Sequence, residues 1–385
     1  MREGLAMRIA LPAYDVAGWT AGAVFTEMIL RALRLAGGDD VDIVVLCDHR
    51  PGARDRWSGL ATAVVPPRQT LVDRAVMRFD GHFPDAVERY CHRAGVDALL
   101  LYTRLAARHT RFRRIPWIPD FQHRSLAEYF SDRELAERDK AHRRCARLSD
   151  AMLFSSQAVC DDFARYHPAH AAKGRVARFP SLYAFCPPEG PVGIGPGHYG
   201  MPDKFILVAN QYWIHKNHGV VIEALAILAR RGIRAHAAFT GLPSDYRNPA
   251  NANVSEMLQS IARHGLAGQV IPLGLVPKAH LTDLMRAACV VVQPSRFEGW
   301  STVVEDAKAL GRPVICSNIP VHREQAPDGL GFFDCDDPAA LADILERHWD
   351  ALAPGPDAAA EADGLRREQA MAEAYGHLLL DICRG

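Results

Sequence analysis

No stretch of this 385-residue chain is apolar for anything near the roughly 20 residues needed to span a bilayer. Met1-Arg2-Glu3-Gly4 leads straight into a strand-like segment with no signal-peptide pattern. Together these absences give the expectation of a cytoplasmic protein. Net charge is also lacking, with 45 Lys+Arg against 45 Asp+Glu. Residues 1–190 hold 28 basic and 23 acidic side chains and the remainder 17 and 22, so the halves carry about +5 and −5. A nucleic-acid binder, usually basic throughout, is not expected. The nine cysteines (47, 91, 145, 160, 186, 289, 316, 335 and 383) include no Cys-x-x-Cys pair. That scatter points to reduced, mostly buried thiols and away from a zinc site or a disulfide framework. No internal repeat is visible.

What is present alternates between short apolar runs and helical patterns. Residues 7–14 read as a strand, followed by a turn with Gly18 and Gly22, an amphipathic helix over about 23–35, the Gly37-Gly38 stop and a second buried strand at 41–47. Further apolar runs fall at 61–65, 98–102, 117–121, 151–155 and 176–179. Their continuous apolar character, without alternation, suits a parallel sheet covered on both faces. Residues 187–197, Pro-Pro-Glu-Gly-Pro-Val-Gly-Ile-Gly-Pro-Gly, break the pattern and read as a linker. Prolines between these glycines, and no strand before them, argue against a dinucleotide fingerprint.

A second array begins at 205–210, continues with a helix over about 217–231, and has strand candidates at 235–240, 269–273, 289–293, 313–317 and 331–334. The expected division is a first domain over 1–185, a linker over 186–203, a second domain over 204–360, and a C-terminal helix over 361–385 that could cross back to the first domain. The predicted fold class is α/β, with two doubly wound Rossmann-like domains whose ligand crevices face across a cleft.

Chemistry concentrates after the strand at 289–293. There Phe297-Glu298-Gly299-Trp300-Ser301-Thr302-Val303-Val304-Glu305-Asp306-Ala307-Lys308 runs from a loop into a helix ended by Gly311 and Pro313. Thr302 and Glu305 have the spacing of a capping box, so Glu305 reads either as a cap or as a ligand group at a helix N-terminus suited to anions. Glu298, between a buried strand and a glycine at the sheet's carboxyl edge, is the stronger site candidate. Asn210-Gln211-Tyr212-Trp213-Ile214-His215-Lys216-Asn217-His218 follows the first strand of the second array. Lys216 there is either a solvated helix-start lysine or a point charge for a diphosphate. His215 and His218 lack a nearby carboxylate or cysteine to complete a metal set, and no metal is expected. Asp120 and His123, in Ile118-Pro119-Asp120-Phe121-Gln122-His123-Arg124, and Gly22 are the first-domain candidates.

The segment from Phe297 to Lys308 resembles the paired-glutamate motif of the retaining glycosyltransferase family 4, whose members have the two-domain GT-B fold. Six residues separate the glutamates here where seven are usual, which matches a subgroup with a Glu-Gly-Trp-Ser-Thr signature. The resemblance implies that Glu298 contacts the donor sugar, the amides of Gly299, Trp300, Ser301 and Thr302 bind the diphosphate, and Glu305 holds the ribose hydroxyls. Lys216 would grip the diphosphate, with Gln211 standing where Arg is common. His123 would lie beneath the transferred sugar, with Asp120 as an acceptor or sugar contact. Gly22 would approach the donor, and Leu275, in Leu273-Gly274-Leu275-Val276, would line the base pocket or simply end a strand.

The implied reaction is sugar transfer from a nucleotide diphosphate sugar to an acceptor hydroxyl with retention, with Glu298, His123 and Lys216 as catalytic groups and no cofactor. Surface polysaccharide or lipopolysaccharide assembly, with a glycan or lipid-linked acceptor, is the expected setting. Arg104, Arg108, Arg111, Arg113 and Arg114 could hold the first domain at the inner face of a membrane, or form a solvated face. The other functions weighed are a nucleotide-sugar 2-epimerase and a non-catalytic partner of the same fold.

Overall fold

The computed structural model describes residues 6–13, 20–47, 53–65, 84–188, 190, 193–245 and 252–385; Gly18 and Trp19 of the first turn lie outside the described residues. The chain divides into two compact units, Met1–Phe185 with Gln369–Gly385, and Cys186–Glu368.

The first unit runs β1 (Met7–Pro12), α1 (Thr20–Gly37), β2 (Val41–Leu46), β3 (Thr62–Val64), α2 (Ala86–Ala94), β4 (Ala98–Leu100), β5 (Arg113–Ile115), α3 (Gln122–Ser125), α4 (Asp132–Leu148), β6 (Met152–Phe154), α5 (Gln157–Tyr166) and β7 (Gly174–Val176). Five strands form a parallel sheet in the order β3-β2-β1-β4-β5, while β6 and β7 pair separately. β1 contributes fully buried Ile9, Ala10 and Leu11, as expected of a continuous apolar strand covered on both faces.

The expected strand at 117–121 does not form. Trp117 makes a lone bridge to Leu153, and the pairing strand is β5, just before it. Prolines 116 and 119 bring no amide donor to a ladder. What remains is Leu153 N donating to Pro116 O at 2.9 Å and Ile118 N to Leu153 O at 3.3 Å.

The second unit runs β8 (Ile206–Ala209), α6 (His218–Arg230), β9 (Ala237–Thr240), α7 (Ala252–Arg263), β10 (Val270–Gly274), α8 (Lys278–Ala287), β11 (Val290–Gln293), α9 (Thr302–Ala309), β12 (Val314–Ser317), α10 (Pro320–Gln325), β13 (Gly331–Phe333) and α11 (Pro338–His348). Its six strands are parallel in the order β10-β9-β8-β11-β12-β13. The core joins Val208, Phe239 and Val292 of the sheet to Val221, Leu225 and Leu228 of α6 and Leu341 and Leu345 of α11. The chain order reverses between β8 and β11. In an open α/β sheet that switch point, at the strands' carboxyl ends, leaves a crevice for ligands.

A last helix, α12 (Ala358–Arg384), is continuous through its glycines. Residues up to Glu368 belong to the second unit and the rest to the first. A Cβ at Gly364 would fall 2.3 Å from Lys308 O, and one at Gly376 2.3 Å from Ala32 O. These glycines admit close backbone packing and do not interrupt the helix. All nine cysteines are free, and six of them are buried. Among the described residues no helix is long and apolar enough to cross a membrane.

Candidate functional site

The loops after β8 and β11 meet at the switch point of the second sheet. Asn210 follows the last residue of β8, Gln293 ends β11, and the Asn210 amide donates to Gln293 Oε1 at 2.7 Å. Both side chains are buried, so this polar pair ties the two strand ends together where the apolar runs stop. Asn217, in the left-handed conformation at φ 56°, starts α6; its amide donates to Pro294 O at 3.3 Å and Cys335 O at 2.9 Å. Arg296 N donates to His215 O at 2.8 Å. The segment bearing Lys216 is thereby fastened to the loop bearing Glu298.

At the centre Lys216 Nζ donates to Glu298 Oε1 at 2.5 Å. The lysine and glutamate side chains are 14% and 10% exposed, so the ion pair is largely desolvated yet reachable. Gln293 Nε2 donates to the same oxygen at 2.9 Å. Both bonds fall on Oε1 and leave Oε2 the better placed to accept from a ligand hydroxyl. Near this pair lies His322 of α10, fully buried. Its Nδ1 lies 2.9 Å from the Ser317 hydroxyl and 3.1 Å from the Ser317 carbonyl. Burial pushes its pKa down to about 4 against the raising influence of Glu298.

The first turn of α9 borders the pair. Contrary to the expected capping box, the N-cap is Ser301 and makes no side-chain cap bond. The Ser301 hydroxyl instead receives Gln293 Nε2 at 3.0 Å. Glu305 therefore sits one residue beyond the box position and turns inward, fully buried. Its Oε1 accepts from Gln325 Nε2 at 2.9 Å and its Oε2 from Lys308 Nζ at 2.8 Å. The Ser301 amide, expected to meet a diphosphate, is spent on Gln325 Oε1 at 3.1 Å, and Ser301 O accepts from Gln325 Nε2 at 2.6 Å. Gly299 and Trp300 are half-buried in the connecting loop, and Thr302 opens the helix.

Gln211 is also committed, its Oε1 accepting from Leu242 N at 2.8 Å. Leu275, just past β10, is 64% exposed. His218 is enclosed against Tyr212 and Phe239, with ring centroids 5.0 and 5.2 Å away. Among the described residues no three ligating side chains converge on a metal position.

The other candidates belong to the chain's first unit. Gly22 is buried within α1, its carbonyl accepting from the Thr26 hydroxyl at 3.0 Å. Asp120 Oδ1 accepts at 2.8 Å from the backbone N of Gln122, the first residue of α3. His123 is 1% exposed, its Nε2 3.0 Å from Asp139 Oδ1 and its ring 5.0 Å from that of His142. Burial lowers its pKa more than Asp139 raises it. The five-arginine cluster is not one surface: Arg104, Arg108 and Arg111 are exposed, but Arg114 is buried. Its guanidinium donates to Ala107 O at 2.5 Å and lies 3.4 Å from Asp150 Oδ2.

Sequence reasoning missed Asn210, Gln293, His322 and Gln325. A polar residue ending each of two apolar strands was the available signal for the first two.

Residues 199–349 match the family described as Glycosyl transferases group 1. A D-inositol 3-phosphate glycosyltransferase of Streptomyces griseus subsp. griseus is 29% identical over 225 residues, which is 53% of this chain and 47% of that protein. The chain thus spans about half of that relative's length. The sucrose-phosphate synthase of Thermosynechococcus elongatus superposes with a TM-score of 0.69 at 18% identity, covering 98% of each chain. Anabaena Alr3699/HepE in complex with UDP-glucose gives 0.66 at 18% identity, again over 98% of each chain. The fold is the two-domain α/β fold of GT-B glycosyltransferases.

Proposed function

We propose that this chain is a glycosyltransferase that moves a sugar from a nucleotide diphosphate sugar to an acceptor hydroxyl, with the donor held by the second unit. One observation carries the reading: the desolvated Lys216–Glu298 pair stands at the sheet's switch point beside the first turn of an eight-residue helix. The group 1 match over residues 199–349 supports it.

In this scheme the acceptor oxygen bonds to the anomeric carbon as the bond from that carbon to the diphosphate oxygen breaks. The departing diphosphate takes the bonding electrons and accepts the acceptor's proton on the same face, so configuration is retained. The Lys216 ammonium, shared between Glu298 and the diphosphate, opposes the charge that develops there, and the helix N-terminus adds to it. Glu298 Oε2 accepts from a sugar hydroxyl and orients the donor. The scheme requires no metal and routes no step through His123. Gln211 adds no charge, so on this segment the diphosphate is met by the charge of Lys216. A glycan or lipid-linked acceptor in surface polysaccharide assembly is the reading for the other substrate; exposed Arg104, Arg108 and Arg111 are its support.

Transfer should be measured with a panel of nucleotide sugars. Glu298→Gln and Lys216→Ala are each expected to lower kcat/KM by a factor on the order of 10². Undiminished transfer in both variants would overturn the assignment.

A further inference from the structure

The loop that delivers Glu298 is gripped at three successive residues. The Asn217 amide donates to Pro294 O at 3.3 Å, the Ser317 hydroxyl donates to Ser295 O at 2.5 Å, and Arg296 N donates to His215 O at 2.8 Å. The outer two grips come from the segment that bears Lys216. The middle one comes from the end of β12, and behind it stands His322 of α10. Ser295, Ser317 and His322 are each 0% exposed.

The protons of this cluster follow from which atoms can only accept. Two oxygens 2.5 Å apart need a proton between them, and the Ser295 carbonyl has none, so the Ser317 hydroxyl gives its single proton there. Toward the ring that hydroxyl then offers only a lone pair. His322 Nδ1 lies 2.9 Å from the same oxygen and 3.1 Å from the Ser317 carbonyl, a second acceptor. A ring nitrogen facing two acceptors binds them only as N–H. Burial, which pushes the pKa down to about 4, keeps the ring neutral at neutral pH, so it has one proton to place. The other ring nitrogen agrees with that placement: Nε2 is buried and has no hydrogen-bond partner among the described residues. Leaving a buried acceptor unpaired is unfavourable, and an aliphatic side chain would avoid it. The imidazole is accounted for by its Nδ1 alone.

We propose that His322 is a positioning residue for the donor sugar: its Nδ1–H fixes the Ser317 hydroxyl, which holds the Ser295 carbonyl and so keeps the Glu298 carboxylate, three residues further on, against Lys216. The ring is fully buried, so it acts through the loop and not on a substrate atom. That the group met by Glu298 is a donor sugar rests on the reading given above; the placement of Glu298 by His322 does not. Because the diphosphate is met by Lys216 and the helix N-terminus, the sugar and nucleotide parts of the donor should respond differently.

In nitrogen-15 spectra of histidine-labelled protein at neutral pH, His322 should show a proton-bearing Nδ1 and a bare Nε2; a proton on Nε2 overturns the proposal whether or not any variant folds. His322→Leu removes the donor, His322→Asn returns an amide N–H near the place of Nδ1, and His322→Gln reaches only toward the place of Nε2. With a nucleotide sugar that supports transfer, the Leu and Gln variants are expected to lower kcat/KM for the donor roughly tenfold to a hundredfold, and Asn to recover it to within about threefold of wild type. Binding of the matching nucleoside diphosphate, read by calorimetry, should change by no more than about twofold in all three. Equal losses in the Leu and Asn variants, or nucleoside diphosphate binding weakened by the same factor as kcat/KM, would overturn the proposal. In a crystal structure of His322→Leu the carboxylate of Glu298 should have left Lys216. An unmoved loop there overturns the positioning role even if no nucleotide sugar is turned over, an outcome that by itself contradicts only the donor reading.

Discussion

The Lys216–Glu298 contact illustrates how much one desolvated ion pair constrains. A pair this enclosed is not strong evidence of net stabilisation, because desolvating two charges offsets most of their attraction, but removing one partner leaves the other buried and unpaired. Lys216→Ala should therefore lose stability by about 3 kcal/mol in denaturant titration as well as activity. Glu298→Gln, which keeps the shape and can keep a hydrogen bond, should lose activity with a stability change below about 1.5 kcal/mol. Equal destabilisation of both variants would contradict this asymmetry. Gln325 is the uncharged counterpart. It holds Ser301 N, Ser301 O and Glu305 at once, and Gln325→Leu would strand three buried polar partners. We expect a loss of about 2 to 3 kcal/mol together with a raised donor KM.

At the scale of elements, the backbone of α12 reports on close packing in each unit separately. Gly364→Ala would drive a methyl into Lys308 O in the second unit, and Gly376→Ala one into Ala32 O in the first. Alanine is the better helix former by about 1 kcal/mol, so in an isolated helix both changes would stabilise. Here each should destabilise by about 1 to 3 kcal/mol, because a backbone carbonyl cannot swing aside as a side chain can. Thermal unfolding of both variants checks the sign. The same packing explains why a glycine-punctuated tail sequence is one uninterrupted 27-residue helix.

For the whole molecule, a half-buried histidine of the first unit and two buried ones of the second link stability to acid. Burial, the largest cause in each case, pushes His142 and His218 down to about 3 and His322 down to about 4. Their folded pKa values lie below the ordinary 6.5, so the unfolded chain takes up protons first. The stability these groups contribute is complete above about pH 6.5 and is lost as pH falls toward 4, on the order of 2 to 3 kcal/mol for each. His218→Gln should reduce the steepness with which Tm falls across that window; an unchanged acid slope would contradict the linkage.

Apolar runs in the sequence located all six strands described in the second unit and most of those in the first, because strands covered on both faces carry few polar positions to hide them. The positions of Glu298 and Lys216 after two such strands were legible for the same reason: in an open α/β sheet, strand ends carry the chemistry. Proline placement, which removes ladder donors, also lay in the sequence and was outweighed there by the apolar run at 117–121. Only the tertiary structure decided which partners the polar groups took. It joined Lys216 to Glu298, committed Gln211 to Leu242, moved Glu305 out of the capping position, and set it against Gln325. Spacing along one helix could suggest a cap, but nothing local to Glu305 encodes an amide on another helix. That partner is at hand because the fold brings Gln325 of α10 against the first turn of α9, where it also meets the Ser301 carbonyl.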